Sequence, residues 1–121
     1  VRKPVKKRTY TCGMDAALDV VGGKWKALIL WALHEQPLRF GALRREVPGI
    51  SEKILTAQLR EMEAAELVCR EVHDQVPPKV VYSLTEFGQS LNTALVPLGV
   101  WGEDNMERIV AIPRAGQLAV P

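Results

Sequence analysis

Pro48-Gly49-Ile50-Ser51-Glu52-Lys53-Ile54-Leu55-Thr56-Ala57-Gln58-Leu59-Arg60-Glu61-Met62 is the stretch that decides the fold. Pro48-Gly49 marks a turn. Ser51 then suits an N-cap, because its hydroxyl can accept a bond from a free backbone N–H of the first helical turn. Behind it Leu55, Leu59 and Met62 recur at spacings of four and three, so the segment from Ser51 to about Ala65 is expected to be an amphipathic helix. At about 100° per residue, Lys53, Thr56, Ala57 and Arg60 fall on the side opposite that stripe. A cation near the helix start, a hydroxyl, a methyl-sized group and an arginine suit phosphates, base edges and the thymine methyl in a major groove. The groove admits one α-helix, and the positive end of the helix dipole favours a phosphate. The same face also reads as ordinary solvated surface, and the helix alone does not decide between the two.

The residues before it favour the first reading. Gly41 to Val47 is expected to be a brief helix, with Leu43 and Val47 inward and Arg44 and Arg45 outward. With Arg39 just ahead, these cations stand where the supporting helix of a helix-turn-helix unit crosses the DNA backbone. Leu38-Arg39-Phe40 reads as a stub of strand. Lys24 to His34 is a strong helix with Trp25, Leu28, Ile29, Ala32 and Leu33 on one face. Trp25 and Trp31 are read as core residues that, with a terminal helix, line a site for a small apolar effector. Met14 to Val21 forms a shorter helix that Gly22-Gly23 breaks. Residues 1–11 are expected to be a flexible basic arm, since residues 1–8 hold five cations and no acid.

The residues after it supply a wing. Leu67 to Val72 and Val80 to Leu84 are β-prone and separated by His73-Asp74-Gln75-Val76-Pro77-Pro78-Lys79, a hairpin with a longish loop. Arg70 and Lys79 sit at its base. Thr85 is the next N-cap, and the helix it opens carries an apolar stripe of Phe87, Leu91, Leu95, Leu98 and Trp101 towards Ile109, with a kink expected at Pro97. The order is helix, helix, strand stub, helix, turn, helix, hairpin, helix. That is a mainly α fold with a small β-hairpin wing: a winged helix-turn-helix domain over 12–109, with an additional helix at each end and a loose tail over 110–121.

Composition bounds the rest. A chain of 121 residues, 47% hydrophobic and 25% charged, fits one globular domain able to bury a core without disulfides or metal. No apolar run approaches the roughly 20 residues of a membrane span, nor does the start read as a signal peptide, so a cytoplasmic protein with no membrane partner is expected. The net charge of +2 is unevenly spread. Residues 24–60 carry seven basic against three acidic side chains and residues 61–121 four against nine, so only the first half suits a broad polyanion contact. Cys12, Cys69, His34 and His73 make no metal-ligand spacing, and no cofactor is implied. There is no Ser/His/Asp grouping, no paired carboxylates on a cleft and no phosphate loop, which speaks against an enzyme. Glu61, Glu63 and Glu66 read as a solvated or dimer-facing surface. A winged helix used for protein–protein contact stays open as the alternative.

Cys12 lies between the basic arm and a helix start, and both favour the thiolate that oxidants and electrophiles attack. It is the candidate redox-sensing residue. Cys69, beside Val68 in the first wing strand, is read as a small buried hydrophobe.

Several blocks in order resemble the HxlR-type transcription regulators, a branch of the MarR-like winged helix proteins. They are Gly22-Gly23-Lys24-Trp25, Leu38-Arg39-Phe40, Pro48 to Thr56, Val76 to Thr85, Gly88 and Trp101-Gly102. The chain departs from the pattern at Val81, where the family usually has glutamate, and at Glu66, where it usually has glycine. The resemblance implies a homodimer whose terminal helices pack across a two-fold axis, with the stripe from Phe87 to Trp101 as the dimerisation surface. It implies a pseudo-palindromic double-stranded DNA operator, and the helix, its flanking arginines and the wing base put Arg39, Arg44, Ser51, Lys53, Thr56, Ala57, Arg60, Arg70 and Lys79 forward as the residues that contact it. It also supports Cys12 as a sensor, because some members use a cysteine at the matching position against oxidants or aldehydes.

Overall fold

The computed structural model of the chain describes residues 7–114. Its helices are α1 (Gly13–Val21), α2 (Lys24–Leu33), α3 (Phe40–Glu46), α4 (Glu52–Ala64), α5 (Glu86–Asp104) and α6 (Met106–Val110), and its strands are β1 (Leu38–Arg39), β2 (Val68–His73) and β3 (Lys79–Leu84). This is the winged helix-turn-helix arrangement expected from the order of sequence signals.

The turn before α4 follows from its chemistry. The Ile50 N–H donates to the Val47 carbonyl at 3.3 Å, with Pro48 and Gly49 in the middle. Gly49 has φ 86°, the left-handed position that a type II turn assigns to glycine. Ser51 then caps α4, its Oγ accepting from the Ile54 N–H at 3.1 Å.

α4 ends in a Schellman motif. The Leu67 N–H donates to the Met62 carbonyl at 2.9 Å and the Glu66 N–H to the Glu63 carbonyl at 3.0 Å. The residue between these bonds must turn left-handed, and Glu66 does so at φ 61°. This position is the one where the family usually has glycine, so the departure leaves the motif intact and places a Cβ in a costly conformation.

The core lies between the helices and the sheet. Ile29, Leu30 and Leu33 of α2, Leu43 and Val47 around α3, Leu55, Leu59 and Met62 of α4, and Leu67 and Val68 are all buried, with Ile50 closing the turn. Lys26 of α2 reaches Glu61 of α4 at 2.7 Å, so Glu61 is an ion-pair partner inside the subunit.

The sheet has three strands in the order β1-β3-β2, all antiparallel. The strand stub Leu38–Arg39 thus joins the wing hairpin. β2 begins at Val68, one residue later than expected, and at the hairpin end both strands run one residue further, pairing His73 with Lys79. Backbone pairing tolerates polar side chains at a solvated hairpin end, so composition alone placed that boundary too early.

Three other expectations are corrected. Trp31 is not core: it is 49% exposed, and Leu30 completes the buried face of α2 instead. Leu28 is also exposed, because α2 is apolar almost all round and its periodicity is blurred. Cys69 is exposed, its Sγ 3.4 Å from Ser83 Oγ. Strand alternation sends Val68 inward and its neighbour outward.

The final helix is corrected in its bounds. α5 continues through Pro97 and breaks at Asn105, not near Ile109. There the Asn105 side-chain amide donates to the Trp101 carbonyl at 2.8 Å, a local bond that competes with helix continuation.

Candidate nucleic-acid interface

α4 is held by Leu55, Leu59 and Met62 and presents Ser51, Glu52, Lys53, Thr56, Ala57 and Arg60 along one open surface. Lys53, Ala57 and Arg60 are exposed and Thr56 is half-buried. Two of the polar groups already have local duties. Ser51 Oγ caps the helix, and the Thr56 hydroxyl donates to the Glu52 carbonyl at 2.8 Å, so its oxygen is left to accept. Lys53 and Arg60 are the cations of this face.

Arg44 and Arg45 border the start of the same helix, with Gly41, Pro48, Gly49, Ile50 and Ser51. Arg44 Nε donates to the Ile50 carbonyl at 3.4 Å, a weak tie that aims its guanidinium along the turn. Arg39 precedes α3 and pairs with Val81 in the sheet.

The two wing cations part company. Arg70 pairs with Tyr82, and His73 with Lys79. His73 is three positions beyond Arg70, so strand alternation puts Arg70 and Lys79 on opposite faces of the hairpin. Arg70 shares the face of the buried Val68 and meets α4, whereas Lys79 lies on the face of Cys69. By sequence both are simply cations at the base of the wing. The convergence of Arg70 with Arg60 was missed, although alternation counted from Val68 carries the signal.

The profile of the HxlR-like helix-turn-helix family matches residues 20–110, which is most of the chain. The chain belongs to this family. The HTH-type transcriptional regulator YybR of Bacillus subtilis is 47% identical over 106 residues, covering 84% of this chain and 85% of YybR. The redox regulator HypR in its reduced form superposes with a TM-score of 0.77 at 44% identity, covering 84% of this chain and 100% of that one. The reduced form of the regulator YodB from B. subtilis gives 0.68 at 34% identity over 78% of this chain and 94% of that one. This HxlR-like chain is therefore a transcription regulator by family, and the family is not one of enzymes. No helix among its described residues is long and apolar enough to cross a membrane.

Cys12 is exposed at the N-cap of α1 and makes no side-chain cap bond. Its surroundings are less one-sidedly basic than the sequence suggests. Arg8 Nη1 and the Tyr10 hydroxyl both donate to Asp19 Oδ2 at 2.6 Å, and the Thr11 N–H donates to Asp15 Oδ2 at 3.1 Å. Two carboxylates of α1 thus lay residues 8–11 back along the helix. The Tyr10 hydrogen bond, then that of Arg8, holds the Asp19 carboxyl below the usual carboxylate range. The same bond pushes the Tyr10 phenol above its ordinary value. Residues 1–6 of the expected arm, and 115–121 of the expected tail, lie outside the described residues.

The stripe on α5 divides. Leu91 and Leu95 pack on the subunit's own core, while Phe87, Leu98 and Trp101 stand exposed. Met14 and Leu18 of α1 and Met106 and Val110 of α6 are exposed as well.

Proposed function

We propose that this HxlR-like chain is a homodimeric, sequence-specific double-stranded DNA-binding regulator that reads its operator with α4 and responds to oxidants or electrophiles through Cys12. The observation that carries the DNA reading is the open face of α4. Lys53, Ala57 and Arg60 stand free of the core opposite three fully buried residues, with Arg44 and Arg45 flanking the helix start. A surface of this chemistry on one helix fits a major groove.

Self-association is supported by the exposed apolar side chains of the terminal helices, which a monomer leaves in water. A two-fold dimer would engage a pseudo-palindrome with half-sites roughly 34–36 Å apart. The sensing role is supported by the exposure of the Cys12 thiol and by the likeness to HypR, which is named a redox regulator.

The test is selection and titration of duplex DNA from a random pool, repeated across salt and with a thiol oxidant. Affinity should fall steeply with salt, with a log–log slope of about −0.9 per phosphate contacted. Arg60→Ala should weaken binding by roughly tenfold or more, as expected for loss of a direct arginine contact to the duplex. Lys53→Ala should flatten the salt slope by about one. Cys12→Ser should abolish the response to oxidant and leave basal binding unchanged. Absence of any duplex binding at low salt would transfer the function to a protein partner, and a response surviving Cys12→Ser would remove the sensing role.

A further inference from the structure

Between α4 and the sheet lies a cleft of about 320 Å³ lined by Thr56, Leu59, Arg60, Glu63, Arg70 and Tyr82. Its construction follows from two periodicities. Thr56, Arg60 and Glu63 stand four and three residues apart on one flank of α4. Arg70 and Tyr82 are directly paired across β2 and β3, on the sheet face that carries Val68. The helix flank and the sheet face converge on this space, with the buried Leu59 as its floor.

The charges in the cleft are not settled among themselves. Neither the Arg60 nor the Arg70 side chain has a hydrogen bond or an ion pair among the described residues, although Glu63 lines the same space. The Tyr82 hydroxyl has no partner there either. Thr56 adds no donor, since its proton goes to the Glu52 carbonyl. What remains is two guanidinium forks and a phenol O–H, all donors, against one carboxylate. Guanidinium forks match the oxygens of phosphate in pairs. The volume leaves room for a phosphate group, and it lies at the low end of the roughly 300–1,000 Å³ range of small-molecule pockets.

We infer that this cleft is an oxyanion site of phosphate type, in which Arg60 and Arg70 grip the anion, Tyr82 donates to it and Glu63 limits its affinity. Arg60 and Thr56 belong both to the cleft and to the outer face of α4. An anion seated there is therefore adjacent to a helix lying in a groove. Only the identity of the natural occupant, a DNA phosphodiester, rests on the function proposed above. The site itself does not.

The experiment follows the arginine Nε–Hε resonances of the full chain by NMR during titration with inorganic phosphate, against chloride at matched ionic strength. Saturable shifts of both Arg60 and Arg70 in the millimolar range, absent with chloride, are expected. Arg70→Gln should remove the saturable shift at Arg60, and Glu63→Gln should tighten phosphate binding several-fold. The Arg70 side chain has no partner to lose among the described residues, so the variant should fold, and circular dichroism checks that it does. A linear response, or an equal response to chloride, overturns the site.

Duplex DNA added to the phosphate-loaded protein then separates the two sources. Displacement of phosphate identifies a backbone phosphodiester as the occupant, and retention of phosphate beside bound DNA identifies a free anion. If phosphate binds and DNA never does, the site stands and the DNA reading falls. If DNA binds with an unchanged salt slope in Arg70→Gln and phosphate gives no saturable shift, the DNA reading stands and the site falls.

Discussion

A Cβ placed on Gly88 would lie 2.0 Å from the carbonyl oxygen of Leu67 and 2.9 Å from its carbonyl carbon. The first turn of α5 therefore rests directly on the backbone that links α4 to the wing. Thr85 fastens the same junction. Its N–H donates to the Leu67 carbonyl at 3.1 Å, and its Oγ1 accepts from the Gly88 N–H at 2.9 Å. The helix proposed for dimerisation is thereby keyed to the end of the helix proposed for reading DNA.

Gly88→Ala should be severely destabilising for this reason. The colliding atoms are backbone and cannot rotate away, so the cost should reach or exceed the upper part of the ~1–3 kcal/mol usual for overpacking. A fall in the urea midpoint at unchanged slope would show it. A variant as stable as the parent would mean that α5 shifts freely against Leu67.

Glu66→Gly should act in the opposite direction. Glu66 occupies the left-handed position of the Schellman motif at φ 61°, where an L-residue with a Cβ is penalised by roughly 1–2 kcal/mol. Part of that gain is offset by the extra freedom of glycine in the unfolded chain. A net stabilisation of about 1 kcal/mol is expected, read as a Tm higher by roughly 4 °C at fixed protein concentration. An unchanged or lower Tm would show that the Glu66 side chain contributes more than its backbone costs.

These two positions also show what was legible in the sequence. The turn, the cap and the buried stripe of α4 were readable because Pro48-Gly49, Ser51 and the Leu55-Leu59-Met62 spacing all point to the same structure. The winged order followed from the same kind of agreement. Trp31 was misjudged because α2 is apolar on nearly every side, so periodicity could not choose its inner face. Cys69 was misjudged on residue type, where alternation from Val68 decides. Glu66 looked like a local departure in the wing, yet the backbone keeps the left-handed turn, since the surrounding bonds to Met62 and Glu63 fix it. Alternation from Val68 puts Arg70 on the face towards α4, but the placement of Tyr82 beside it depends on cross-strand register, which only the folded hairpin establishes.

Asp19→Asn should free the segment that precedes Cys12. With Asp19 ionised, its carboxylate accepts from both Arg8 and Tyr10. Because the Asp19 carboxyl is depressed on folding, its contribution is present above the unfolded carboxylate range and is lost as pH falls through the lower folded value. Tyr10 runs the other way. Its raised phenol contributes below the ordinary tyrosine range and loses its bond as pH rises through the folded value. In Asp19→Asn the Tyr10 titration, followed by ultraviolet difference absorbance, should move down towards the ordinary value. An unmoved titration would mean that the bond to Asp19 is not formed in solution.

Trp101→Glu and Leu98→Glu should convert the protein to a monomer. Trp101 is 57% and Leu98 63% exposed, and neither belongs to the core cluster that holds the winged domain. Charge at these positions should leave the fold intact, whereas in a dimer it would be buried without a partner. Leu91 and Leu95 make the wrong variants for this purpose, since they pack on the subunit's own core. A buried aromatic anchor at an interface is worth about 2 kcal/mol or more, so the dimer dissociation constant should rise by roughly 30-fold or more. Analytical ultracentrifugation at micromolar concentration reads this directly, with far-UV circular dichroism confirming the fold. Affinity for a two-half-site operator should fall with the dimer, while the weak, salt-sensitive binding of a single domain persists. A wild-type protein that sediments as a monomer would refute the dimer, and variants that remain dimeric would place the interface away from α5.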